Sequence, residues 1–90
     1  MDTPRNNKSH HRYELQVGDH LAFADYRIDG DVITFTHTIV PEKLEGQGVA
    51  SRLIAFALAD VRERGLKVIP QCSFVRGYID RHPEWQDLLA

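Results

Sequence analysis

The sequence predicts a single α+β domain, an α/β sandwich on a mixed antiparallel/parallel sheet with a central βαβ unit. Three observations carry that expectation. Apolar and polar residues alternate along much of Tyr13 to Val40, which is the period of half-buried strands. From Val49 to Val61 the period becomes helical, with Val49, Leu53, Phe56, Ala57 and Val61 in one stripe. A second short apolar run, Leu66-Lys67-Val68-Ile69, follows at once. Strand, helix and strand in that order call for a parallel pair joined by a right-handed crossover.

The elements follow in order. Residues 1–11 are polar, with almost nothing to bury, and read as a flexible N-terminal arm; the domain spans 12–90. Tyr13, Leu15 and Val17, the turn pair Gly18-Asp19, then Leu21 and Phe23 read as a hairpin. Asp29-Gly30-Asp31 turns the chain into Val32–Val40, a run almost wholly β-branched or aromatic. Strict alternation there puts Ile33, Phe35, His37 and Ile39 on one face. Pro41 ends that strand. Gly65 is placed to cap the long helix, and Pro70 marks the end of the last strand. Ser73 is placed as the N-cap of a final helix carrying Phe74, Val75, Tyr78 and Ile79. Trp85, Leu88 and Leu89 supply a last apolar turn.

Composition narrows the function. At 90 residues with 42% hydrophobic and 27% charged, the chain fits one soluble globular domain. No apolar stretch approaches membrane-spanning length, and the first residues do not form an export signal. The single cysteine, Cys72, excludes an internal disulfide and fits a reducing cytoplasm. Arg5, Lys8 and Arg12 against Asp2 give the first 12 residues +2, which leaves −4 on the other 78. A mildly acidic body is a poor footprint for nucleic acid. His10-His11 has no ligand spacing after it, so no metal is expected.

Leu44-Glu45-Gly46-Gln47-Gly48-Val49-Ala50 joins a strand to a helix N-terminus. Two glycines let backbone come close to a bulky anion, and the orphan amides of Gln47 to Ala50 point outward at the positive end of the helix dipole. That combination suits a phosphate or pyrophosphate, whereas a glycine-rich helix cap with no ligand is the plain alternative. No Gly-Lys-Ser/Thr follows, and the third glycine of a dinucleotide fingerprint is absent.

His37-Thr-Ile-Val-Pro41, Glu45-Gly-Gln-Gly-Val-Ala50 and Ile69-Pro-Gln-Cys-Ser-Phe-Val75 together resemble the GNAT acyltransferase superfamily, and within it the short single-domain N-acetyltransferase-like branch. The resemblance runs from about Tyr13 to Leu89. It implies the GNAT fold, acetyl-CoA as cosubstrate, and transfer of acetyl to a primary amine. Gly48 and Ala50 match the last two fixed positions of the superfamily's acetyl-CoA signature, while Glu45 stands where a Gln or Arg is usual. The resemblance further implies that the strands flanking the helix splay apart. The pantetheine arm then pairs with backbone near Ile39 and Val40, as strand addition. The expected cofactor-binding set is therefore Ile39, Val40, Glu45, Gly46, Gln47, Gly48, Val49, Ala50 and Arg52.

Three residues are catalytic candidates. Cys72 precedes a helix N-terminus, whose dipole favours a thiolate, and the family resemblance also points to it; a buried, inert cysteine is the alternative. His37 is a candidate base for the acceptor amine, against the reading of a core histidine. Larger GNAT enzymes place a tyrosine on the corresponding helix to protonate the leaving thiolate, which implies that role for Tyr78. The competing function is a non-catalytic CoA-binding or protein-interaction module on the same fold. Expected partners are a CoA thioester and an amine, with no nucleic acid or membrane, in a monomer or homodimer.

Overall fold

The computed structural model describes residues 3–90. Five strands form one sheet in sequence order: β1 (Arg5–Asn7), β2 (Arg12–Val17), β3 (His20–Asp29), β4 (Val32–Ile39) and β5 (Lys67–Pro70). β1 to β4 are antiparallel neighbours, and β4 and β5 run parallel. Helix α1 (Val49–Glu63) makes the crossover between β4 and β5, and α2 (Ser73–Arg81) follows β5. The expected mixed sheet with its βαβ unit is present. Short 3-10 turns occupy Lys8–His10, Glu42–Leu44 and Pro83–Leu88.

Alternation along the strands sends Tyr13, Leu15, Ala22, Ala24, Tyr26, Ile33, Phe35 and Val68 to one face. There they meet the buried stripes of α1 and α2 in a single core. Three rings pack around Tyr13, those of Tyr26, Phe35 and Phe56, with centroids 5.2, 6.0 and 6.1 Å away. The Tyr13 hydroxyl donates to Asp60 Oδ2 at 2.7 Å. Burial, reinforced by that carboxylate, pushes its ionisation well above the ordinary tyrosine range. Among the described residues, no helix covers the opposite face of the sheet.

Helix α1 ends in a Schellman motif. Gly65 has φ +70°, its N–H donates to Arg62 O, and the N–H of Leu66 donates to Val61 O. Gly65 is thus the left-handed residue just past the cap, Arg64. At α2 the N-cap is Cys72, not the expected Ser73: the Arg76 N–H closes the first turn onto Cys72 O at 3.1 Å.

The N-terminal segment departs from the expected flexible arm. Residues 1 and 2 of that arm lie outside the described residues, but Arg5–Asn7 pair with β2. The cause is Glu14, which is only 2% exposed in the middle of β2. A buried carboxylate must be fully paired. Arg5 donates to it twice, at 2.8 and 2.9 Å, and Asn7 and Arg12 at 3.0 and 2.6 Å. Desolvation alone would raise its pKa, but these three partners outweigh it and hold the carboxyl at about 2. On the core side, the Tyr26 hydroxyl donates to Asn6 Oδ1 at 2.7 Å.

A second departure lies in β4. Phe35 registers with Tyr26 and His37 with Asp25, so β4 spends two steps where β3 takes one, and Thr36 is the extra residue of a β-bulge. The bulge reverses the side-chain alternation. Ile33 and Phe35 face the helices, but His37 and Ile39 pair across with Asp25 and Phe23 on the helix-free face. The expectation that all four share a face fails at that point, and His37 is exposed. Thr38, opposite buried Ala24, turns toward the helices instead.

Candidate functional site

The site grows out of the same bulge. β4 and β5 pair only from Val32 with Lys67 to Phe35 with Pro70. The Cys72 N–H then donates to Phe35 O at 2.9 Å and closes the ladder. Beyond it, β4 pairs with β3 through Ile39 but has no further pairing to β5. The edge from Thr36 to Ile39 therefore keeps free backbone donors and acceptors along a gap. A bulge that bends one strand away from its neighbour gives this geometry.

At the mouth of the gap the chain turns through Pro41 and the Glu42–Leu44 turn into the glycine loop. Gly46 and Gly48 have φ +81° and +74°, left-handed values that strain any other residue. A Cβ on either would meet no protein atom within 4 Å, so the space beside both is open. The first amide bond of α1 runs from Arg52 N–H to Gly48 O at 3.1 Å. The amides of Val49, Ala50 and Ser51 precede it as the helix's N-terminal donors, at the positive end of its dipole. Gln47 braces the loop by donating from Nε2 to Lys43 O at 3.0 Å.

These pieces line one cleft of about 350 Å³, walled by Val40, Leu44, Glu45, Gly46, Gly48, Val49, Ala50, Ser51 and Phe74. Six residues of the expected cofactor-binding set meet there: Val40, Glu45, Gly46, Gly48, Val49 and Ala50. Gln47 is exposed on the same loop, and Arg52 is exposed one turn into α1. Ile39 borders the cleft by its backbone, while its side chain lies on the other face, 48% exposed. Sequence reasoning missed Leu44, Ser51 and Phe74. Phe74 leaves a trace, since its spacing to Tyr78 is one helical turn, but nothing in the sequence says that it reaches the α1 N-terminus.

The three catalytic candidates occupy different places. Cys72 is 9% exposed, with Sγ 3.2 Å from Thr38 Oγ1 on the helix side of the gap. Tyr78 is 6% exposed and does not line the cleft. Its ring stacks on His82 at 4.0 Å and on Phe74 at 6.5 Å, so it joins the cleft through Phe74. His37 lies across the sheet from Cys72, and the fold does not bring the two together. Among the described residues no His, Cys, Asp or Glu cluster is arranged to hold a metal, and no helix is long and apolar enough to cross a membrane.

An unpaired strand edge beside a glycine-opened helix N-terminus, at the point where two parallel strands part, is an arrangement for an extended ligand with an anionic head. No Gly-Lys-Ser/Thr follows the glycines, so the loop is not the phosphate loop of a nucleotide-hydrolysing domain. The model of the GCN5-related N-acetyltransferase family matches residues 12–88, and the chain belongs to that family. Among solved structures, it is similar to the NMR solution structure of a GCN5-like candidate N-acetyltransferase from Staphylococcus aureus. The two are 27% identical with a TM-score of 0.76, over 98% of this chain and 87% of the other.

Proposed function

We propose that this chain transfers an acetyl group from acetyl-CoA to a primary amine, in a reducing cytoplasmic setting that keeps Cys72 a thiol. The observation that carries the reading is the meeting of two features in one cleft: the glycine-opened N-terminus of α1 and the unpaired edge of β4. The amides of residues 47–50 hold the pyrophosphate, as orphan donors at a helix dipole do. The backbone of Ile39 and Val40 offers the pantetheine amides the hydrogen bonds that β5 does not take. Glu45 is exposed at the wall of the same cleft. Acetyl-CoA, once bound, supplies the activated acyl group; the chain supplies position.

Cys72 lines the acetyl end and does not relay the group. Its sulfur is nearly buried and engaged with Thr38 Oγ1, which favours packing over attack. Tyr78 is the candidate donor to the departing thiolate, which a phenol performs without ionising.

The test is release of CoA thiol from acetyl-CoA in the presence of a primary amine, with intact-mass measurement after rapid quenching. Wild type turns over, Cys72→Ala keeps most of kcat, and no acetyl adduct accumulates without acceptor. An adduct on Cys72 that vanishes when amine is added contradicts direct transfer. A folded protein that releases no CoA with any amine contradicts the enzyme reading.

A further inference from the structure

The cleft has an open mouth and a closed end, and the same two elements make both. Val40, just past β4, and Phe74, in the first turn of α2, line the open part. Two residues earlier on each element stand Thr38 and Cys72. Thr38 turns to the helix side, opposite buried Ala24, and Cys72 is the N-cap of α2. Here the opening is spanned. Thr38 Oγ1 and Cys72 Sγ lie 3.2 Å apart, and neither residue belongs to the cleft wall. Further in, main chain takes over: the Cys72 N–H donates to Phe35 O at 2.9 Å, and Phe35 registers with Pro70 in the parallel ladder. The gap therefore narrows in order, from open space through one side-chain contact to backbone pairing.

An extended ligand whose anionic head sits on the α1 amides runs inward along the free β4 edge, so its far end arrives at this contact. What it meets there is small. A threonine hydroxyl and a thiol make only a weak hydrogen bond, and both side chains are short. What lies behind is not. Cys72 belongs to the core that holds Phe35, Val75 and Ile79, all fully buried. Such an interior is close-packed and admits extra methylenes only by strain. A chain longer than the space before the contact therefore has no room on the helix side. Two side chains rather than backbone fix that depth, so substitution can change it.

We propose that the Thr38–Cys72 pair is the end wall of the acyl site, with Thr38 as the residue that limits the donor's acyl length: acetyl is admitted, whereas butyryl and longer chains are not. The inference rests on the acetyltransferase reading above. It adds what neither the glycine loop nor the β4 edge determines, since both of those meet parts that every CoA thioester shares. Thr38 acts through its shape. Its branched side chain is stiff at χ1, and its methyl and hydroxyl together fill the gap against the sulfur.

Calorimetric titration of the full chain with CoA, acetyl-CoA and butyryl-CoA tests the wall without requiring an acceptor. Wild type binds acetyl-CoA about tenfold or more tightly than butyryl-CoA, the scale on which a pocket rejects added methylenes. Thr38→Ala opens the wall and brings the two affinities within about threefold of each other. Thr38→Val keeps the branched shape without the hydroxyl and retains the gap of about tenfold. Cys72→Ala opens the same wall from α2 and shifts the ratio in the same direction, so the result does not depend on one variant folding. Each variant is first checked for cooperative unfolding. Equal affinity of wild type for acetyl-CoA and butyryl-CoA overturns the proposal and leaves the cosubstrate cleft standing. So does a ratio unchanged in both alanine variants, or a Thr38→Val protein that matches Thr38→Ala. Absence of heat with both CoA and acetyl-CoA removes the proposed function, and this inference with it.

Discussion

The two halves of β4 are built from nearly the same residue types and do opposite things. Val32–Phe35 is paired on both edges, and three of its four side chains are buried. Thr36–Ile39 is paired on one edge only, and both His37 and Ile39 are exposed. Composition does not separate them, since β-branched and aromatic residues fill the strand throughout. What separates them is one extra residue, Thr36, which turns the strand over and away from β5. The first half holds the fold together, and the second is left free to hold something else.

Truncation of each half should break the comparison most visibly. Phe35 is fully buried against Tyr13 and Tyr26, so Phe35→Ala should cost about 3–5 kcal/mol in chemical denaturation. Ile39→Ala should change stability by less than about 1 kcal/mol, because its side chain is half in water already. Equal losses would mean that the two halves share one core and that the bulge is incidental.

A smaller effect sharpens the same contrast from the far edge of the sheet. Glu14 is held at about 2 in the fold, below its ordinary value of 4.5. A depressed acid stabilises the fold above its unfolded pKa and loses that contribution as pH falls through the folded one. Stability should therefore drop by roughly 2 to 3 kcal/mol between pH 5 and pH 2. Glu14→Gln should flatten that limb, and a chain starting at Lys8 should weaken it, since Arg5 and Asn7 go with the deletion. An unchanged acid limb in Glu14→Gln would place the acid sensitivity elsewhere.

How much of this was legible follows from where the physics is local. The glycine loop could be read because two residues at φ near +80° demand glycine, and the demand is written in the sequence. The βαβ unit was readable from a change of period. The bulge was not. VITFTHTI alternates without interruption, carries no glycine or proline, and acquires its extra residue only from register with β3. For that reason the sequence placed His37 on the wrong face. β1 was invisible for a related reason: Arg-Asn-Asn has no strand propensity, and it pairs because a carboxylate seven to nine residues further along the chain, Glu14, is buried and needs donors. Cys72 and Phe74 were placed correctly on their elements, but their neighbours Thr38 and Ala50 come from distant parts of the chain.

The central claim is that the second half of β4 and the glycine loop together form the CoA site, and calorimetric titration with acetyl-CoA tests it most directly. Wild type should give a saturable one-to-one heat. Gly48→Val should abolish it, because a branched side chain at φ +74° projects into the open space beside the α1 amides and strains the loop. The variant is checked for cooperative unfolding first, since the altered residue lies in an exposed loop and displaces no core atom. Loss of the heat in a folded Gly48→Val protein is the predicted result; the same affinity as wild type would show that the loop is only a connection and contradict the account.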